Sequence, residues 1–278
     1  MLVYYNSAYL LKSEVAISPD DRGFLFADGI YEVVRVYRGK LFKCAEHLQR
    51  MAYGLKELKI KGFDPTTLES VANRILKENG LEHSDAKVYI QITRGAAPRS
   101  HKFPPAGTQP TVYLEATPFT SPTDLQEKGV AAIIVADQRW GRCDIKSIGL
   151  LANTLANQQA VEAGAHEAIF RRDGALQEGS HSSILFVKNN VVIAPPLTTY
   201  ILPSVTRNIV FSLAHEESIR TTIEPCLERE LFDFQEILLL GTGSEIIPIA
   251  TVNGRKIGNG VPGPITRRLQ GAFRRLVS

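Results

Sequence analysis

Arg139-Trp140-Gly141-Arg142-Cys143-Asp144-Ile145-Lys146-Ser147, followed further along the chain by Glu178-Gly179-Ser180, carries the chemistry that decides how this sequence is read. A lysine amine forms a Schiff base with an aldehyde, and a carboxylate holds a pyridine nitrogen protonated. Alone the pair is weak evidence, because most lysines are solvated surface charges.

Outward from that stretch, residues 129–136 are an apolar run of buried-strand length, and residues 148–164 have the length and composition of a long helix. Residues 167–171, 183–187, 191–194 and 236–240 are further strands. Helices are expected at 204–216, near 227–234 and, basic and amphipathic, at 264–276. Towards the N-terminus, residues 30–37 alternate into a hairpin at Arg38-Gly39-Lys40 that returns through 41–44. Leu48, Met51, Leu55 and Leu58 mark a helix over 46–58. Asp64-Pro65 opens another, with an apolar stripe through Leu68, Val71, Ile75 and Leu76 that ends at Asn79-Gly80. Residues 87–93 and 111–116 are strands flanking a Gly- and Pro-rich loop. Strands and helices mix without strict alternation, so the expected class is α+β. The Pro-, Ser- and Thr-rich run 117–124 is the linker candidate. It divides a small N-terminal α+β domain, 1–117, from a larger C-terminal domain, 124–278, through an interdomain linker at 118–123.

The 278 residues can bury a sizeable core. A formal charge of +3 with dispersed basic residues argues against nucleic-acid binding. No apolar run reaches the length of a membrane span, and the N-terminus lacks a secretory pattern. Cys44, Cys143 and Cys226 are odd in number and far apart, which suggests reduced thiols and a cytoplasmic protein. The six histidines show no metal-ligand spacing, so no metal is expected, and no Gly-x-Ser-x-Gly elbow occurs.

Three further constellations have both a structural and a chemical reading. Leu202-Pro203-Ser204-Val205-Thr206-Arg207 opens a helix, where free N–H groups favour an anion, although Ser204 as a simple N-cap is the commoner reading of such a stretch. Gly241-Thr242-Gly243-Ser244 after a strand is a second anion-holding turn or merely a tight turn. Arg99 and His101, two apart on a Pro-restricted loop, suit a carboxylate, or form a solvated basic loop. Tyr31 and Glu32 are neighbours on a strand, so only one of them lines a given cavity.

Taken in order, Asp21-Arg-Gly-Phe, Asp28-Gly-Ile-Tyr31-Glu, Glu46-His-Leu-Gln-Arg50, residues 139–147, Glu178-Gly-Ser, residues 202–207 and Thr242-Gly-Ser-Glu resemble the class IV (fold type IV) pyridoxal phosphate (PLP)-dependent aminotransferases nearly end to end. Within that family, Thr93-Arg-Gly-x-x-Pro-Arg99-x-His101-x-Phe-Pro resembles the D-amino acid branch. The resemblance implies a two-domain α+β fold with PLP between the small N-terminal domain and the larger, PLP-binding C-terminal domain, and a homodimer with shared active sites. Lys146 matches the Schiff-base lysine and Glu178 the partner of the pyridinium nitrogen. Arg50, Thr206, Thr242 and the backbone N–H of Val205 match phosphate ligands, and Leu202 matches the residue packing on the cofactor ring. Tyr31, Arg99 and His101 match a trap for the substrate carboxylate whose Arg-x-His loop comes from the neighbouring subunit. The implied reaction is ping-pong transamination of a D-amino acid with a 2-oxo acid such as 2-oxoglutarate, with small molecules as the only other partners. Ser183 stands where the family has asparagine, and His181 where it has a small residue. The alternatives are a branched-chain L-aminotransferase, an aminodeoxychorismate lyase, or a PLP-binding protein without transaminase activity.

Overall fold

The computed structural model describes residues 1–278. The chain forms two compact units, Met1–Thr120 with Ile145–Gly149, and Ser121–Asp144 with Leu150–Ser278.

The first unit contains β1 (Leu2–Tyr5), β2 (Ala8–Leu11), α1 (Arg22–Phe26), β3 (Gly29–Tyr37), β4 (Lys40–Leu41), α2 (Cys44–Glu57), α3 (Leu68–Glu78), β5 (Ala86–Thr93) and β6 (Thr111–Pro118). Its strands form one antiparallel sheet in the order β2-β1-β6-β5-β3-β4. Alternation along β3 sends Ile30, Val34 and Val36 into a core with Leu48, Met51 and Leu55 of α2 and with Leu68, Ile75 and Leu76 of α3. Each such side chain contributes about 1.5–3 kcal/mol through burial. The return strand expected over 41–44 stops at Leu41, because Lys43 takes a left-handed φ of 55° and caps α2. The Asp64-Pro65 start is a single 3₁₀ turn, Pro65–Thr67, before α3 proper.

The second unit contains α4 (Thr123–Lys128), β7 (Val130–Ala136), α5 (Leu151–Glu162), β8 (Glu167–Arg172), β9 (Ala175–Gly179), β10 (Ser183–Lys188), β11 (Val191–Ala194), α6 (Val205–Glu216), β12 (Arg220–Ile223), β13 (Cys226–Leu227), β14 (Glu236–Gly241), β15 (Glu245–Val252), β16 (Arg255–Lys256) and α7 (Pro264–Val277). Its mixed sheet runs β12-β11-β10-β14-β15-β7-β8-β9-β13, with β16 beside β15. The parallel pairs are β11/β12, β15/β7 and β7/β8. Ile184, Phe186, Ile237, Leu239 and Ile247 lie at its centre. Glu236 caps α7 from a distance, its carboxylate accepting the N–H groups of Ile265 at 3.0 Å and Thr266 at 2.7 Å.

One segment breaks the linear order. A helix is expected from residue 148, yet α5 starts only at Leu151. Ile145–Gly149 is instead tied to β3: Ser147 bridges Ile30, the Tyr31 N–H donates to the Lys146 carbonyl at 3.0 Å, and the Ile148 N–H donates to the Gly29 carbonyl at 3.1 Å. Ile145 is buried in the core of the first unit, where Gly54 of α2 leaves room for the neighbouring Ile30, whose Cγ2 a Cβ would approach to 3.1 Å. Pairing and burial together outweigh the helical tendency of these residues.

Candidate active site

In the first unit, β3 presents Tyr31 on one face and Glu32 on the other. The Lys146 Nζ lies 4.1 Å from the centroid of the Tyr31 ring and forms no ion pair. Lys146 is half-buried, with its backbone fixed by β3 and its amine left uncommitted.

Glu32 is fully buried and gathers two basic residues of α2. Arg50 donates to it through Nε at 2.6 Å and Nη2 at 2.8 Å, and His47 Nδ1 lies 2.8 Å away. Burial pushes the Glu32 carboxyl up, but the Arg50 charge and the hydrogen bonds from Arg50 and His47 outweigh it and lower the pKa to about 2. Arg50, expected at a phosphate, therefore has two of its nitrogens on Glu32. Sequence reading weighed Glu32 only as the neighbour of Tyr31. The available signal was His47 and Arg50, three apart on the helix face that meets β3.

Arg99 and His101 are exposed and share one support. The Arg99 guanidinium sits 5.3 Å from the Phe26 ring centroid, and the His101 ring lies 5.6 Å from it. Their loop is held from beneath by a buried ion cluster. Asp28 accepts from Arg22 Nε at 2.9 Å and from Arg94 Nε and Nη2 at 2.7 and 2.8 Å. Arg22 Nη1 then donates to the Ser100 carbonyl at 2.7 Å, and Arg94 stacks on Phe103. Neither Arg99 nor His101 hydrogen-bonds Tyr31 or Lys146 within the chain. A separate groove of about 550 Å³, lined in part by Ile17, Phe24, Tyr89 and Tyr113, contains none of these site residues.

In the second unit, Glu178 ends β9 buried. Arg139 Nη1 donates to its Oε1, and the Leu202 N–H approaches both carboxylate oxygens at 3.3–3.4 Å. Arg139 is itself fixed by Asp137, through Nε and Nη2 at 2.9 Å each, and lies over Phe170. Burial pulls the Arg139 pKa down, but the bonds to Asp137 and the charge of Glu178 hold it above its ordinary value. Ser204 caps α6, accepting the Arg207 N–H at 3.2 Å, and Val205 and Thr206 are buried in the first turn. Thr242 lies in the turn between β14 and β15. Arg207, part of the helix start, is buried, and its guanidinium makes no hydrogen bond or ion pair. Burial lowers its pKa against the opposing charge of Glu178.

A family model for Amino-transferase class IV matches residues 29–252. The D-alanine aminotransferase of Bacillus licheniformis is 39% identical over 274 residues, covering 98% of this chain and 96% of the relative. The D-alanine aminotransferase of Staphylococcus haemolyticus is 36% identical, covering 99% of this chain and 97% of its own. The chain belongs to the class IV aminotransferases. The branched-chain amino acid aminotransferase of Escherichia coli shares this fold at a TM-score of 0.92 and 24% identity, covering 100% of this chain and 94% of that one.

Class IV aminotransferases use PLP, and the residues of this aminotransferase fit that group. An uncommitted amine at Lys146 suits an aldehyde, and the fixed carboxylate of Glu178 suits a protonated ring nitrogen. The N-terminus of α6, with the unpaired Arg207 cation beside it, suits a phosphate. The three cysteines of this aminotransferase are free and buried, and burial pushes their thiols up to about 11 for Cys143 and about 12 for Cys44 and Cys226. None of them is a nucleophile near neutral pH.

Proposed function

We propose that this aminotransferase transfers the amino group of D-amino acids, D-alanine among them, to a 2-oxo acid such as 2-oxoglutarate. The observation that carries this reading is the Arg99-x-His101 pair on Phe26, braced by the Arg22–Asp28–Arg94 cluster. A guanidinium and an imidazole carried on one braced loop suit the carboxylate of a substrate. The D-alanine aminotransferases that match nearly the whole chain support it as well.

Lys146 is assigned as the covalent anchor and base, and Glu178 as the partner of the pyridinium nitrogen. Arg50, Thr206, Thr242 and the Val205 N–H are assigned to the phosphate, and Leu202 to the ring face. PLP, when bound, supplies the electron sink for the carbanion left by loss of the α-proton. Lys146 Nζ takes that proton and holds it for return on the same face. Arg139 and the Leu202 N–H keep the Glu178 carboxylate oriented. Tyr31, Arg99 and His101 fix the substrate carboxylate, so that one enantiomer presents its α-hydrogen towards Nζ.

The exposed Arg99-x-His101 loop is assigned to the active site of a second copy, making the enzyme a homodimer. The groove beside exposed Ile17 and Phe24 supports an apolar contact on this unit. Reduced, buried cysteines support a cytoplasmic location, and no helix is long and apolar enough to cross a membrane. The N-terminal part, 1–117, and the C-terminal part, 124–278, are assigned as the small and the PLP-binding domains.

The deciding experiment is conversion of the bound cofactor, followed spectroscopically, with D-alanine and L-leucine. Rapid conversion by D-alanine is expected. Conversion by L-leucine alone would make the enzyme branched-chain specific, and conversion by no amino acid would leave only a PLP-binding protein.

A further inference from the structure

His166 immediately precedes β8, and His181 follows the end of β9. The antiparallel β8–β9 pairing, with Ile169 opposite Gly179, brings the start of one strand beside the end of the other. One ligand atom each from His166, Glu167 and His181 there lies within 4.8 Å of the others. The ring centroids of the two histidines are 6.0 Å apart, at 68°.

Glu167 is fully buried and firmly oriented. Its Oε1 accepts the His181 N–H at 2.9 Å, and its Oε2 accepts the Ser182 hydroxyl at 2.9 Å while lying 3.4 Å from His181 Nε2. Gly179 is what lets the carboxylate come so close, since a Cβ at that position would stand 2.2 Å from Oε1. The His166 ring is half-buried and makes no hydrogen bond. The His181 side chain is 54% exposed; its Nε2 faces Glu167 and its Nδ1 lies 3.3 Å from the Ser180 hydroxyl.

Two imidazoles and a carboxylate form a donor set that suits zinc and its borderline neighbours, and a poor one for magnesium or calcium. A tetrahedral zinc ion, with bonds of about 2.0–2.2 Å, needs its ligand atoms roughly 3.3–3.5 Å apart. The Glu167–His181 pair already meets that spacing at 3.4 Å, and a modest shift of the His166 ring, which makes no hydrogen bond, brings in the third ligand. The His181 N–H and Ser182 hydroxyl fix the carboxylate, as groups behind a metal ligand do.

We infer that His166, Glu167 and His181 form a binding site for one divalent borderline transition-metal ion of the zinc type, with its fourth position open to water. The test uses the PLP-bound enzyme, freed of metal with a chelator and titrated with Co²⁺ alone. The visible ligand-field bands are followed, then Zn²⁺ is added in competition, with bound metal counted by mass spectrometry. One Co²⁺ per chain with four-coordinate bands, displaced by Zn²⁺, is expected. His181→Ala, at an exposed position that does not threaten folding, and His166→Ala should each weaken binding at least about tenfold. Absence of Co²⁺ binding, or unchanged affinity in either variant, overturns the site and leaves His181 and Glu167 as an ion pair only.

Discussion

Tyr31 holds Lys146 by its main chain and leaves the amine to the chemistry. Its N–H bonds the lysine carbonyl at 3.0 Å, while its ring lies under Nζ at 4.1 Å. Because the main-chain contact does not depend on the lysine side chain, Lys146→Ala should keep its stability within about 1 kcal/mol. After borohydride treatment and dialysis it should lack the near-ultraviolet band of a covalent reduced PLP–lysine adduct, which the unsubstituted enzyme retains. Retention of that band would remove Lys146 as the anchor.

Arg99→Ala removes half of the proposed carboxylate receptor without touching the Arg22–Asp28–Arg94 brace. A hydrogen bond to a charged group is worth about 1.5–3 kcal/mol, so KM for D-alanine should rise roughly 10- to 150-fold. The bound-cofactor spectrum should stay unchanged. Wild-type D-alanine kinetics in this variant would exclude Arg99 from substrate binding.

Glu32 makes stability depend on acid. Its folded pKa of about 2 lies below its ordinary 4.5, so its contribution is complete above 4.5 and is lost as pH falls from there towards 2. The linkage is on the order of 3 kcal/mol. Glu32→Gln should be strongly destabilised at pH 7, by about 3–5 kcal/mol, because the largely covered Arg50 loses its counter-charge and the buried His47 a charged hydrogen-bond partner. The gap to wild type in urea midpoint should shrink between pH 5 and pH 3. A gap that does not change with pH would show that Glu32 titrates normally.

Gly29 stands where β3 meets both β5 and the lysine segment. A Cβ there would lie 2.6 Å from the Ile92 carbonyl oxygen and 3.0 Å from Ile148 Cδ1. Gly29→Ala should cost about 1–3 kcal/mol, measured by denaturant midpoint. It should also lower kcat more than it raises KM, since the shifted strand carries Lys146 with it. An unperturbed midpoint would mean that the backbone yields freely at this point.

Much of the fold was legible because alternation along β3 and the helical stripes of α2 and α3 are local signals. β15 escaped because Pro248 interrupts the strand pattern, although it sits opposite Leu238 in the ladder. The Ile145–Gly149 pairing escaped because its partner is remote in sequence and only tertiary contact selects it. In the candidate site, contiguous motifs pointed to Lys146, Glu178, Thr206 and the Arg99-x-His101 loop as candidates. Their supports did not show: Asp28 beneath the loop, Arg139 on Glu178 and the Glu32 cluster are charges paired across distant segments. His166 and His181 lacked ligand spacing for the same reason, since the β8–β9 hairpin makes them neighbours.

The stapling of residues 145–149 onto β3 has a kinetic side. A segment embedded between two stretches of the second unit must return to the first, closing a very long loop, and such closures come late in folding. Lys146 therefore takes its place beside Tyr31 only in a chain whose β3 is formed. With Lys146 as the proposed anchor, a yellow, cofactor-bound chain is expected to be one in which residues 145–149 have already paired with β3.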